Sequence, residues 1–155
     1  MPVNPGVSQV ARSVGSSAPS AGPGAPVWER MQELPTYRSV GKPFLSRGHF
    51  AGRWQVQISA NELARSAYID LRPTTRFEPG AVLVKVHIDA RSGASGPLFA
   101  RIKKEAGYFP EGNDWEYVVA DSAGVVEQRG PLPLCASCHA DGVSDATFAP
   151  PPDAR

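Results

Sequence analysis

Cys135 and Cys138 are separated by Ala136 and Ser137 and followed at once by His139, and they are the only two cysteines of the chain. The order C-x-x-C-H is the attachment signature of c-type haem. Each thiol adds to one vinyl group of the porphyrin, and the adjoining imidazole is held under the iron as its axial ligand. Two other chemistries use close cysteine pairs. A closed zinc site takes four nitrogen or sulfur ligands, and only His49 and His87 remain to complete one, at no recognisable spacing. A thioredoxin-type dithiol opens a helix after a βαβ strand, whereas here Pro131 and Pro133 precede the pair near the end of the chain. Haem c, one per chain, is the reading these residues favour, with His139 as the metal ligand.

The opposite face of such an iron decides what the protein does. Electron-transfer haems commonly carry methionine there, and the chain has only Met1 and Met31. Met31 shares a short apolar stretch with Trp28 and Leu34, where packing is the expected role. His49 follows a loop glycine and His87 lies on a strand; each is a candidate sixth ligand, with a structural role as the default. The expectation is a five-coordinate iron with an open face, the condition for chemistry or for binding a diatomic gas.

The elements that must hold these residues are mostly strands. Trp54 to Ile58 alternates as a half-buried strand led by Arg53. Ala81 to Ile88 is a β-branched run with Val82, Val84, Val86 and Ile88 on one face and Leu83, Lys85 and His87 on the other. A loop at Arg91 to Gly96 invites an antiparallel return along Leu98 to Lys103, and Trp115 to Ala120 reads as a further strand with a hairpin turn at Asp121 to Gly124. Helical segments are predicted over Val27 to Leu34, stopped by Pro35, and after a capping box formed by Ser59 and Glu62, with Leu63, Ala67, Tyr68 and Leu71 facing inward. The sum is an α+β fold, mainly antiparallel sheet with a few flanking helices and a C-terminal haem-attachment segment. A C-x-x-C-H near the end of a strand-rich chain matches neither the small helical electron-transfer cytochromes nor the four-helix gas-binding ones.

Length and composition bound the rest. The 155 residues, 41% hydrophobic with net charge +1, suit a single domain and offer no strong field for nucleic acid or an anionic membrane. Residues 1–26 are rich in Pro, Gly, Ser and Ala with Arg12 as the single charged side chain, which reads as a flexible leader before a domain at 27–155. No stretch has the apolar core of a signal peptide or the length of a membrane span. Thioether attachment is nevertheless completed outside the cytoplasm, so a shortened chain or a start codon placed too far downstream would account for the missing signal.

From about Tyr37 to Phe148 the chain resembles the cytochrome P-460 family and its relatives, the cytochromes c′-beta. The resemblance rests on Ser46-Arg47-Gly48-His49, on the strand Phe77-Glu78-Pro79-Gly80-Ala81-Val82-Leu83-Val84-Lys85, on Gly112-Asn113-Asp114-Trp115-Glu116-Tyr117 and on the terminal Cys135-Ala136-Ser137-Cys138-His139-Ala140. It implies a β-rich, usually dimeric protein of the periplasm. In the P-460 branch a strand lysine, Lys85 at the matching position, is joined covalently to the porphyrin edge, and hydroxylamine is oxidised with electrons passing to an acceptor such as another cytochrome. The c′-beta branch lacks the cross-link, sets aromatic side chains over the iron and binds nitric oxide or similar gases without turnover.

Taken from the pattern alone, Lys85 reads as a solvent-facing lysine on a face that His87 makes plausibly wet; the resemblance argues instead for cross-linking. Phe99 falls where the hydroxylamine-oxidising branch is expected to carry a distal glutamate able to act as base, so it either caps the iron or packs in the core. Arg53 is a weaker distal candidate, a donor toward a bound oxygen atom. Glu105, Asp114 and Glu116 are further carboxylates whose facing the sequence does not define.

Overall fold

The computed structural model describes residues 23–155. Seven strands form one sheet: β1 (Arg38–Ser39), β2 (Phe44–Leu45), β3 (Trp54–Ala60), β4 (Val82–Asp89), β5 (Ser95–Lys103), β6 (Trp115–Ala120) and β7 (Val126–Gly130). Their order is β1-β3-β4-β5-β6-β7, with β2 also on β3. Every pairing is antiparallel. Among the described residues two short α-helices, α1 (Glu62–Ile69) and α2 (Pro133–His139), accompany the sheet, with 3-10 turns elsewhere. The α+β reading holds, and among the described residues no helix is long and apolar enough to cross a membrane. Most of the leader lies outside the described residues; its last part joins the fold, since the Pro26 carbonyl accepts from Val126 N–H at 2.9 Å.

The two sheet faces bury different cargo. On one, Val82, Val84, Leu98, Ala100, Ile102, Val118 and Ala120 pack around Trp28, with Met31 and Leu34 against them. On the other, Ile58, Ala60, Leu83, Trp115 and Tyr117 meet Ala64 and Tyr68 of α1, Phe77 and Ala136 of α2. The period-2 alternation of the central strands sends neighbouring side chains to opposite layers, so both faces are covered.

Four local expectations shift. The first helical segment is a 3-10 helix over Glu29–Thr36 that contains Pro35 rather than ending at it. The ring fixes φ at a value that tighter helix tolerates, and Val27 is left outside. The cap of α1 is Asn61, not Ser59: its side-chain oxygen accepts from Ala64 N–H at 3.1 Å and from Val82 N–H at 3.0 Å. Ser59 is still extended strand, paired with Ser39 and Val84, so the helix cannot begin until two residues later. With that start Ala64 and Tyr68, one helical turn apart, face the core and Leu63 is 53% exposed. Finally, the C-x-x-C-H segment is itself helical, with Pro133 at the first turn of α2. That is where a missing N–H is harmless, so the prolines start this helix rather than prevent it.

Candidate functional site

Helix α2 carries Cys135, Cys138 and His139, and the 1, 4, 5 spacing sets all three toward one side of it. Cys135 is half-buried, Cys138 exposed, and both thiols are free. Gly112 allows the helix to come close: a Cβ there would run into the Phe109 ring and meet the Ala136 methyl at 3.1 Å. His139 leans over the sheet between Tyr117, at 5.8 Å between ring centroids, and Phe148, at 5.6 Å.

Its Nδ1 lies 3.2 Å from the Ala146 carbonyl. Arg101 Nη1 reaches the same carbonyl and comes within 3.2 Å of His139 Nδ1. The guanidinium only donates, whereas Nδ1 donates to the carbonyl or accepts from Arg101 according to its tautomer; with the proton on Nδ1 both groups donate to the Ala146 oxygen and Nε2 is bare. Metal-bound histidines are held in this way, the second nitrogen donating to a carbonyl or carboxylate. Burial first, then the nearby charges of Arg101 and Lys85, bring the His139 pKa down to about 3, so the imidazole is neutral near pH 7.

The loop that supplies the Ala146 carbonyl is clamped from below. Asp145 is buried and paired with Lys103 Nζ at 2.7 Å, accepts from Phe77 N–H at 2.8 Å, and its own carbonyl takes the Trp115 indole N–H at 2.9 Å. Asp145 and Ala146 both have positive φ, 48° and 53°. For residues other than glycine this is held only by surrounding contacts. Arg101 adds a bond to Thr147 Oγ1 at 2.9 Å and stacks its guanidinium 4.5 Å from the Trp115 ring. It is an almost fully buried cation with no carboxylate in ion-pair range among the described residues. Tyr117, beside it, has a buried hydroxyl without a partner in hydrogen-bond geometry among the described residues.

Lys85 and Phe99 are direct cross-strand neighbours on this same face. The face is not wet. His87 is fully buried and Lys85 half-buried, its ammonium making no hydrogen bond or ion pair among the described residues. Desolvation, reinforced by the Arg101 charge, lowers the Lys85 pKa to about 8, which brings a free-amine population within the neutral range. The lysine expected from pattern alone to be solvent-facing is therefore a half-buried amine, because β3 and β5 flank it and the rings of His49 and Phe50 lie against its neighbours Phe99 and His87.

The same face gathers His49, His87 and aromatic side chains. Phe99 stands 4.4 Å from His49 and 4.9 Å from His87 between centroids, with Phe50 6.0 Å away. His49 Nδ1 is 3.2 Å from His87 Nε2, and His87 Nδ1 is 2.7 Å from the Pro97 carbonyl. Burial chiefly, with the Lys85 charge adding to it, lowers His49 to about 3 and His87 to about 4.

Other candidates fall elsewhere. Arg53 is exposed, lying over the Trp54 ring and 3.8 Å from Asp89, away from His139; β3 begins one residue later and leaves its side chain at the sheet margin. Met31 packs on the opposite sheet face. Glu116 points to that face too and pairs with Arg129 at 2.8 Å. Asp114 accepts the backbone N–H groups of Gly107 and Phe109, and Glu105 is exposed. Sequence reading missed Arg101. Its signal was present: alternation along β5 places Phe99, Arg101 and Lys103 on the face of Lys85.

The donor set suits haem c: two free thiols and a neutral imidazole on one helix, set over a face of aromatic rings and a half-buried amine. Among the described residues no group of three or more His, Cys, Asp or Glu side chains is placed to hold a metal ion by itself. No family model and no curated protein matches the chain.

Proposed function

We propose that this chain is a mono-haem c protein of the cytochrome P-460 type, working in the periplasm and oxidising hydroxylamine to nitrogen oxides. The observation that carries the reading is the placement of the C-x-x-C-H histidine over the sheet face that holds Lys85 and Phe99, with Arg101 spanning from that face to the Ala146 carbonyl beneath His139. Bound there, the haem would supply an iron that accepts electrons from a nitrogen ligand and passes them to an external acceptor, such as another cytochrome.

The chain's own residues do the rest. Cys135 and Cys138 tether, His139 ligates, and the Ala146 carbonyl orients the ring and raises its basicity. Arg101 limits that effect by drawing on the same oxygen. Lys85 offers an amine that burial keeps partly unprotonated, the form able to bond a porphyrin carbon. Joining the two removes one hydrogen from each, a two-electron oxidation for which a peroxide-class oxidant serves. Bonding also removes an unpaired charge from an apolar layer. A homodimer is part of the same reading, through the family resemblance alone.

A second reading, a nitric oxide or other diatomic-gas binder without turnover, is favoured by a specific observation. Phe99 and the histidines occupy this face, and none of Glu105, Asp114 or Glu116 reaches it. The test is peptide mapping by mass spectrometry of holoprotein produced with c-type maturation machinery, followed by steady-state hydroxylamine oxidation with an artificial acceptor. The P-460 reading expects the Lys85 peptide to remain joined to the Cys135 and Cys138 haem peptide, and turnover to be measurable. A free Lys85 with both thioethers intact and no turnover passes the protein to the gas-binding reading.

A further inference from the structure

His87 Nδ1 sits 2.7 Å from the carbonyl oxygen of Pro97. A carbonyl only accepts, so that nitrogen carries the proton and, the ring being neutral, Nε2 of His87 is a bare acceptor. His49 Nδ1 approaches that acceptor at 3.2 Å and must therefore be the donor. The second tautomer follows from the first: His49 has its proton on Nδ1 and an unprotonated Nε2. No described residue bonds that nitrogen. The His49 ring lies against Phe99, whose cross-strand neighbour is Lys85.

We propose that His49 is the proton acceptor on the ligand side of the haem site, its Nε2 held bare and aimed by the hydrogen-bond chain through His87 to the Pro97 carbonyl. The proposal rests on the haem reading and answers the question that the missing distal carboxylate leaves open. Its ligands are weak acids and N–H or O–H compounds of the hydroxylamine class that bind iron through a deprotonated atom. For a weak acid HX, the H–X bond breaks as X⁻ binds and the proton passes to His49 Nε2. No electrons move in the step, and the anion and the new imidazolium form a neutral pair. Among the described residues the titratable groups acting on His49 are Lys85 and His87, and neither is a carboxylate that would compete for the proton. In the resting site, burial and the Lys85 charge keep His49 unprotonated; a bound anion offsets the burial of a cation, and cross-linking Lys85 would remove an opposing charge. His87 acts through His49 as a positioning residue.

The test is hydrogen cyanide binding to ferric holoprotein near neutral pH, where the ligand is undissociated. Proton release is measured by calorimetry in two buffers of different ionisation enthalpy, with the resting spin state read by electron paramagnetic resonance. The wild-type protein is expected to be high-spin at rest and to release no net proton. His49→Ala and His49→Gln should remain high-spin, release one proton per cyanide, and bind it about tenfold or more weaker, the size of one charge-assisted hydrogen bond. His87→Phe should weaken binding similarly, and His87→Gln, which keeps an acceptor for His49, should restore part of it. Release of a full proton by the wild type, or unchanged stoichiometry in the His49 variants, overturns the proposal. A low-spin wild type that turns high-spin in His49→Ala overturns it differently, by making His49 an iron ligand. Loss of His139-ligated, thioether-bound haem from the wild type itself overturns the haem reading and this proposal together, and the mass map shows which has occurred.

Discussion

Asp145→Ala is expected to lower folding stability by about 3–5 kcal/mol, the usual result of removing one partner of a buried ion pair. The side chain is only 1% exposed and its partner Lys103 only 12%, at 2.7 Å, so the alanine variant leaves the ammonium without its counter-ion, held by the Asn113 carbonyl and the Trp115 ring. The Phe77 amide, which donates to the same carboxylate at 2.8 Å, is orphaned as well. Asp145→Asn keeps an acceptor for that amide while losing the charge, and should fall between. Urea titration of the full-length, haem-free chain reads this as a drop in the transition midpoint with an unchanged slope. A loss below about 1 kcal/mol would mean that the pair does not anchor the loop. The effect is large against a total stability of about 5–15 kcal/mol. It also bears on the site, because the loop that Asp145 pins is the one that supplies the Ala146 carbonyl to His139.

The haem-free protein is also expected to lose most of its stability between about pH 6.5 and pH 4. His49 and His139 have pKa values of about 3 and His87 of about 4, all well under the 6.5 of an exposed ring. Across that interval the unfolded chain binds protons that the folded chain refuses, so stability rises with pH. It is complete above the unfolded value and falls away as acid approaches the folded ones. A shift of a single pKa unit at each histidine already amounts to about 4 kcal/mol in total. Lys85 acts with the same sign in another window: its pKa of about 8 against an ordinary 10.5 makes stability rise again on passing from pH 8 to pH 10.5. Urea midpoints measured across this range would show the two rises. A midpoint that stays flat from pH 7 to pH 4 would contradict the burial of the three rings.

Much of the architecture follows from alternation and turn chemistry. The β-branched run at β4, the return along β5, and the strand at β6 with its Asp121–Gly124 turn stand close to where their residues place them, since each is a local pattern that sheet pairing reinforces. Element ends were less readable. Ser59 is a good capping residue, yet its pairing with Ser39 and Val84 keeps it in the sheet and passes the cap to Asn61. Pairing partners distant in the chain outweighed a favourable local motif there, as they did in leaving Leu63 outside and Ala64 inside.

For the site, the contiguous C-x-x-C-H and the type of residue at Lys85 were visible along the chain, because attachment chemistry needs only adjacent residues on one helix. The consequences of burial were not visible. Lys85 and His87 alternate with Val and Ile in a way that fits a wet face or a covered one equally well. Only the packing of β3, β5 and the His49–Trp54 segment makes it covered, and that burial turns a common lysine into a low-pKa amine. Arg101 looks like one more basic residue in a strand until the fold brings it to the Ala146 carbonyl, 45 positions away, beneath His139. The His49–His87 pair spans 38 positions, and its tautomers are defined by a third segment at Pro97. Composition and periodicity act over a few neighbours and so settle strands, turns and attachment chemistry, whereas charge state, tautomer and ligand orientation arise from contacts that exist only once the sheet has closed.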